Sequence, residues 1–113
     1  MWLLTTEGFY SVVQKPEDRE TSSLTVRARA AGDLDRLRVM LPSLGPTIES
    51  LDTDYRWRAQ VPALELGVLM AELITHINYD NFKRAVGRRL GPGRAVLYHE
   101  VWDVLKDLQK ETP

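Results

Sequence analysis

Gly8-Phe9-Tyr10-Ser11-Val12-Val13-Gln14 is the densest run of β-forming side chains in the sequence. Aromatic and β-branched residues fit a pleated, half-buried surface. Residues 2–14 together are rich in Trp, Leu, Thr, Phe, Tyr and Val, which predicts one β segment with a bulge or bend at Gly8. Alternation puts Phe9, Ser11 and Val13 on one side and Tyr10, Val12 and Gln14 on the other. Apolar groups on both sides predict a central strand, with Phe9 and Val13 turned toward helices and Tyr10, Val12 and Gln14 toward an uncovered face.

Two further runs have the same period. Leu24, Val26, Ala28 and Ala30 alternate with Thr25, Arg27 and Arg29, and Tyr55, Trp57, Ala59 and Val61 alternate with Arg56, Arg58 and Gln60. The polar stretch Lys15 to Ser23 between the first two strands reads as an exposed loop. Between the second and third strands, Asp33 is placed to cap a short helix carrying Leu34, Leu37, Val39, Met40 and Leu41, which stops before Pro42. Asp33 and Asp35 are read there as cap chemistry rather than a catalytic carboxylate pair.

After Pro62 the period becomes helical. Leu66, Leu69, Met70, Leu73, Ile74 and Ile77 form a wide apolar stripe. Asn78-Tyr79-Asp80-Asn81 marks a capped break before a shorter helix with Phe82, Ala85, Val86 and Leu90, and Gly91-Pro92-Gly93 forms a turn. A last helix from Arg94 to Gln109 is expected to turn Leu97, Val101, Val104, Leu105 and Leu108 inward, with Tyr98 and Trp102 on its flank. Residues 110–113 are expected to fray.

The order strand, strand, helix, strand and then helices defines an α+β fold, β-β-α-β-α-α, with a small antiparallel-rich three-stranded sheet and helices packed on one face. A right-handed crossover through the first helix would set the third strand beside the first, giving the order 2-1-3. At 113 residues a single domain spanning 1–113 is expected.

Composition narrows the function classes. The hydrophobic fraction is 43% and the charged fraction 27%, values of an ordinary globular chain, and the net charge is −1. A polyanion binder of uniform basic charge is therefore excluded, and any such case must rest on local clusters. With no cysteine, there is neither a disulfide framework nor a thiol nucleophile nor a cysteine-based zinc site. The start of the chain lacks the basic and long apolar regions of a signal peptide, and no apolar run approaches the length of a membrane span, so a cytoplasmic protein without a membrane partner is expected.

Met1-Trp2-Leu3, Thr5-Thr6, the run Gly8 to Pro16, Leu24-Thr25-Val26-Arg27-Ala28-Arg29, Gly32-Asp33-Leu34-Asp35-Arg36-Leu37 and Tyr79-Asp80-Asn81-Phe82-Lys83 together resemble a family of small uncharacterised bacterial proteins. The resemblance spans most of the chain and implies a bacterial, intracellular setting. It implies no activity and no site residues.

The sharpest candidate site follows from strand phase. If the apolar sides of the second and third strands meet the helices, Arg27, Arg29, Arg56 and Arg58 emerge together on the opposite face near Tyr10. Guanidinium forks suit phosphate or carboxylate, and a tyrosine among them can stack a base. This predicts a non-catalytic binding module for an anionic partner, nucleic acid or an acidic protein surface. The same arginines would otherwise form a solvated face, or pair with Glu17, Asp18 and Glu20. A homo-oligomer, such as a homodimer burying the same sheet face, is the alternative function.

A second basic cluster comprises Lys83, Arg84, Arg88 and Arg89, with Arg94 nearby, and is balanced by Glu100, Asp103, Asp107 and Glu111. His76 and His99 have no metal-ligand spacing, so no metal and no cofactor is expected. An enzyme is the weaker reading. It would need His76, Tyr79 and Asp80 to line a cleft, because the serines lack a nucleophile elbow and the glycines form no phosphate loop.

Overall fold

The computed structural model of the protein describes residues 1–111. The chain divides into two compact units, Met1–Asn78 and one that begins at Tyr79. Among the described residues no helix is long and apolar enough to cross a membrane.

The first unit is an α+β arrangement around an antiparallel sheet. It opens with a hairpin of β1 (Trp2–Leu4) and β2 (Phe9–Val13), where a single bulged segment was expected. The Thr5 hydroxyl decides this by local chemistry: it accepts the backbone N–H groups of Glu7 and Gly8, each at 3.1 Å, and so satisfies the donors of a tight turn. Gly8 is required there, because a Cβ would lie 2.7 Å from the Asp33 Cγ and 2.8 Å from the Tyr10 hydroxyl. A 3-10 turn, Pro16–Thr21, then leads into β3 (Ser23–Ala28).

Helix α1 (Ala31–Met40) has Ala30 at its N-cap position, with no side-chain cap. Asp33 serves elsewhere: its carboxylate accepts the Phe9 N–H at 2.9 Å and pairs with Arg36, while its carbonyl accepts the Tyr10 hydroxyl at 2.7 Å. One aspartate thus ties the helix to the hairpin. The chain returns through the two-residue β4 (Ile48–Glu49) to β5 (Trp57–Pro62) and α2 (Ala63–Thr75).

The sheet has five strands in the order β1-β2-β3-β5-β4, every neighbouring pair antiparallel. The expected three-stranded sheet in the order 2-1-3 is corrected on both counts. The stretch Gly8 to Gln14 supplies β2, between β1 and β3, and the middle of the sheet is β3. The reversal at β4 is the physical reason. It turns the chain once more after α1, so that β5 runs antiparallel to β3 rather than entering as a parallel crossover.

Tyr10, Val12, Val26, Ala28, Ala59 and Val61 form the sheet side of the core, and Leu34, Leu37, Leu66 and Leu69 the helix side. Burial of these apolar groups, at roughly 25 cal/mol per Å² of area removed from water, is the main stabilising term of this unit. Helix α2 buries less than its periodicity predicts: Leu66 and Leu69 are inside, but Ile74 is 67% exposed and Ile77 is exposed as well. Its sequence carries only Glu65 and Glu72 as charges, so apolar residues occur on every side and the stripe exceeds what one sheet face covers.

The second unit is a pair of helices, α3 (Phe82–Leu90) and α4 (Pro92–Leu105), followed by a 3-10 turn, Lys106–Lys110. The Asn81 side chain caps α3 by accepting the Arg84 N–H at 2.9 Å. Gly91, at φ 97°, breaks the two helices apart. Inside, Phe82 stacks on Tyr98 at 5.8 Å, with Ala85 and Val86 buried nearby in sequence on α3. Tyr98, expected on the flank, is the buried residue of α4, whereas Leu97, Val104, Leu105 and Leu108 are exposed. Of the expected fray, residues 112 and 113 lie outside the described residues.

Candidate anion-binding face

One face of the sheet carries α1 and α2, and the arginines lie on the other. Register places Trp2 opposite Ser11, Ser11 opposite Arg27, and Arg27 opposite Arg58, a continuous row across β1, β2, β3 and β5. Two arginine side chains, both partly buried, therefore stand on this face at directly opposed positions on neighbouring strands. Like charges so placed disfavour the sheet.

Each arginine is held by neutral oxygens. The Arg27 Nη2 donates to the Ser11 hydroxyl at 2.7 Å, and the Arg58 Nη2 donates to the Thr53 hydroxyl at 2.8 Å and to the Tyr55 carbonyl at 3.3 Å. The Nε of both is buried without a hydrogen-bond partner among the described residues, an arrangement that costs about 1–3 kcal/mol per group. The guanidinium carbons of Arg27 and Arg29 sit 4.6 and 4.8 Å from the Tyr55 ring centre, within cation–π range. No carboxylate forms an ion pair with Arg27, Arg29 or Arg58 among the described residues.

The acids expected to neutralise this face are occupied or turned away. Asp18 is fully buried and accepts the Thr25 hydroxyl at 2.7 Å, the Gln60 amide at 2.7 Å and the Lys15 N–H at 2.8 Å. Burial raises its pKa, but these three donors and the Lys15 charge outweigh that, and the carboxyl lies below its ordinary value. It stays ionised as a brace joining the 3-10 turn to β3 and β5. Glu17 and Glu20 are exposed and make no ion pair with the arginines. Arg56 differs from the other three: it pairs with Glu49 at 3.3 Å and lies over the Trp57 ring at 5.3 Å.

Of the expected site residues, Arg27, Arg29 and Arg58 come together, and Arg56 is separately compensated. Tyr10 is placed on the opposite face: it is 2% exposed, lies in the core and is bonded to the Asp33 carbonyl. The phase of β2 is thus the reverse of the expected one, because pairing Ser11 with Arg27 turns Tyr10 and Val12 to the helices. Tyr55 supplies the aromatic ring instead. Sequence alternation grouped it with Trp57, but β5 begins only at Trp57, and Tyr55 precedes the strand and turns beneath the two guanidiniums. The one available signal was its Asp-rich flank, Asp52 and Asp54, which marks a loop rather than a strand.

The second basic cluster lies on α3. Lys83, Arg84, Arg88 and Arg89 are all exposed. The Lys83 Nζ is 2.8 Å from the His99 Nδ1 and 5.4 Å from the Trp102 ring centre. Acids of α4 and its extension pair locally, Asp103 with Lys106 and Asp107 with Lys110.

His76 closes α2, exposed, its Nδ1 2.8 Å from the Glu72 carbonyl. Tyr79 packs on Phe82 at 6.1 Å, and Asp80 is exposed. Among the described residues no group of three or more His, Asp or Glu side chains is placed to hold a metal. The class defined at this level is an α+β protein whose antiparallel sheet bears arginines on the face opposite its helices, a face partly covered by the 3-10 turn and by the loop carrying Thr53 and Tyr55. The chain matches no family profile, no curated protein and no solved structure.

Proposed function

We propose that the protein is a non-catalytic binding module whose arginine-bearing sheet face holds an anionic partner through Arg27, Arg29 and Arg58. One observation carries this reading: Arg27 and Arg58 stand directly opposite each other, and among the described residues neither forms an ion pair with a carboxylate. A folded chain with a free choice of residues gains by separating or pairing such charges. An anion bridging the two guanidinium forks removes the repulsion and supplies charge-assisted hydrogen bonds. Tyr55 supports the same role by holding Arg27 and Arg29 against one ring, which limits the side-chain entropy lost on binding. The setting implied by the sequence resemblance, a bacterial cytoplasm, belongs to the proposal.

Thermal unfolding in the presence of polyphosphate, compared with potassium chloride at matched ionic strength, tests it. A ligand that binds only the folded state raises the midpoint. The expected result is a rise with polyphosphate that is lost in the Arg27→Ala/Arg58→Ala double variant and kept in Arg56→Ala. No rise, or a rise indifferent to the double substitution, overturns the reading.

A further inference from the structure

We infer that the anionic partner of this face is a single-stranded nucleic acid, with a base stacked on Trp2 and phosphates held by Arg27, Arg29 and Arg58. The inference rests on the anion-binding reading above and adds what lies beside the arginines. Trp2 is 63% exposed on edge strand β1. Its ring meets Phe9 edge-on at 5.6 Å, and Phe9 in turn meets Tyr55 at 6.5 Å with a 48° tilt. A line of three aromatic rings therefore runs along this face from the exposed Trp2 to Tyr55, which is buried under the guanidiniums of Arg27 and Arg29.

The register gives this line its spacing. Trp2, Ser11, Arg27 and Arg58 share one row, and neighbouring strands lie about 4.8 Å apart, so the indole is about 10 Å from the first arginine of the pair. A nucleotide strand laid across the sheet places a base on Trp2 and its backbone over the guanidiniums. Aromatic platforms beside basic side chains bind single strands in this way, because every base offers a π face whatever its sequence.

Other polyanions use only part of this surface. An acidic peptide engages the guanidiniums, but a carboxylate has no ring to lay on an exposed indole. A duplex keeps its bases within the stack, out of reach of a flat sheet. The exposed tryptophan and the three arginines find partners together only on an unstacked strand.

Fluorescence anisotropy of a labelled oligothymidylate with the full chain tests the inference, with unlabelled polyphosphate, poly-glutamate and duplex DNA as competitors across a salt series. The expected result is tighter binding of the single strand than of any competitor. Trp2→Leu should weaken oligonucleotide binding about tenfold and leave polyphosphate binding unchanged, and Trp2→Phe should restore most of the loss. Arg27→Ala and Arg58→Ala should each lower the salt slope, which Trp2→Leu should leave alone.

Equal affinity for oligonucleotide and polyphosphate with no effect of Trp2→Leu overturns base stacking while leaving the anion-binding reading intact. Preference for poly-glutamate or for duplex overturns it in favour of those partners. Failure of every polyanion to bind removes both readings. Because Trp2 is exposed on an edge strand, unfolding of the leucine variant would also count against it: the indole would then be a structural group.

Discussion

Asp18 is fully buried within a fold that has few polar groups inside, and its carboxylate is met by three donors from three places in the chain: Lys15, Thr25 and Gln60. Burial acts against the charge, and the donors with the Lys15 ammonium more than offset it, so the folded pKa is depressed. A depressed acid contributes stability in full above its unfolded pKa and loses that contribution as the pH falls through the folded value. Asp18→Asn keeps the size but replaces one acceptor with a donor that faces the Gln60 amide. The expected outcome is a loss of about 2 kcal/mol at neutral pH. Urea midpoints measured from neutral to acid pH should also fall less steeply for the variant, and parallel pH profiles for the two proteins would contradict this account.

At the scale of elements, the β3–β5 pair brings Arg27 against Arg58, and this pairing has a stability consequence of its own. Without a bound anion the two charges repel across the strands, by about 0.2–1 kcal/mol. Arg58→Gln keeps a donor for the Thr53 hydroxyl and removes the charge. Its thermal midpoint should equal or exceed that of the parent at low salt, and the difference should shrink as salt screens the parent's repulsion. A lower midpoint at low salt would mean that Arg58 is stabilising where it stands.

Much of this pair was legible in sequence. The strands over 24–30 and 55–61 are legible because each has one apolar side, and within β3 and β5 that asymmetry sets the faces of Arg27 and Arg58, whereas Tyr55 and Arg56 precede β5 and do not follow it. The hairpin is not legible, because Thr5 and Gly8 form the turn through a side-chain hydroxyl rather than a glycine-rich signature. Strand β2 could not be phased alone, since Phe9, Tyr10, Val12 and Val13 are apolar on both sides and the choice came from Ser11 meeting Arg27. Two-residue β4 is below the length at which alternation exists, and missing it reversed the expected direction of β5.

The whole molecule divides at Asn78, and every residue of the main core, from Tyr10 to Leu69, belongs to the first unit, as do the partly buried Met70 and Leu73 packed against it. The candidate face is equally local: Trp2, Phe9, Arg27, Arg29, Tyr55 and Arg58 all precede that boundary. A fragment of residues 1–78 should therefore keep the five-stranded sheet and unfold cooperatively. At this size one core supplies only about 3–5 kcal/mol, so the two buried aspartates, tying the 3-10 turn and α1 to the strands, weigh heavily in the balance. Near-ultraviolet circular dichroism reports Tyr55 and Trp57 in their packed environments, and guanidinium titration reports cooperativity. Retention of both signals, together with polyphosphate binding equal to that of the full chain, is the expected outcome. A fragment that keeps strand content but loses the aromatic signal and the sharp transition would mean that the first unit depends on the rest of the chain to fix its packing.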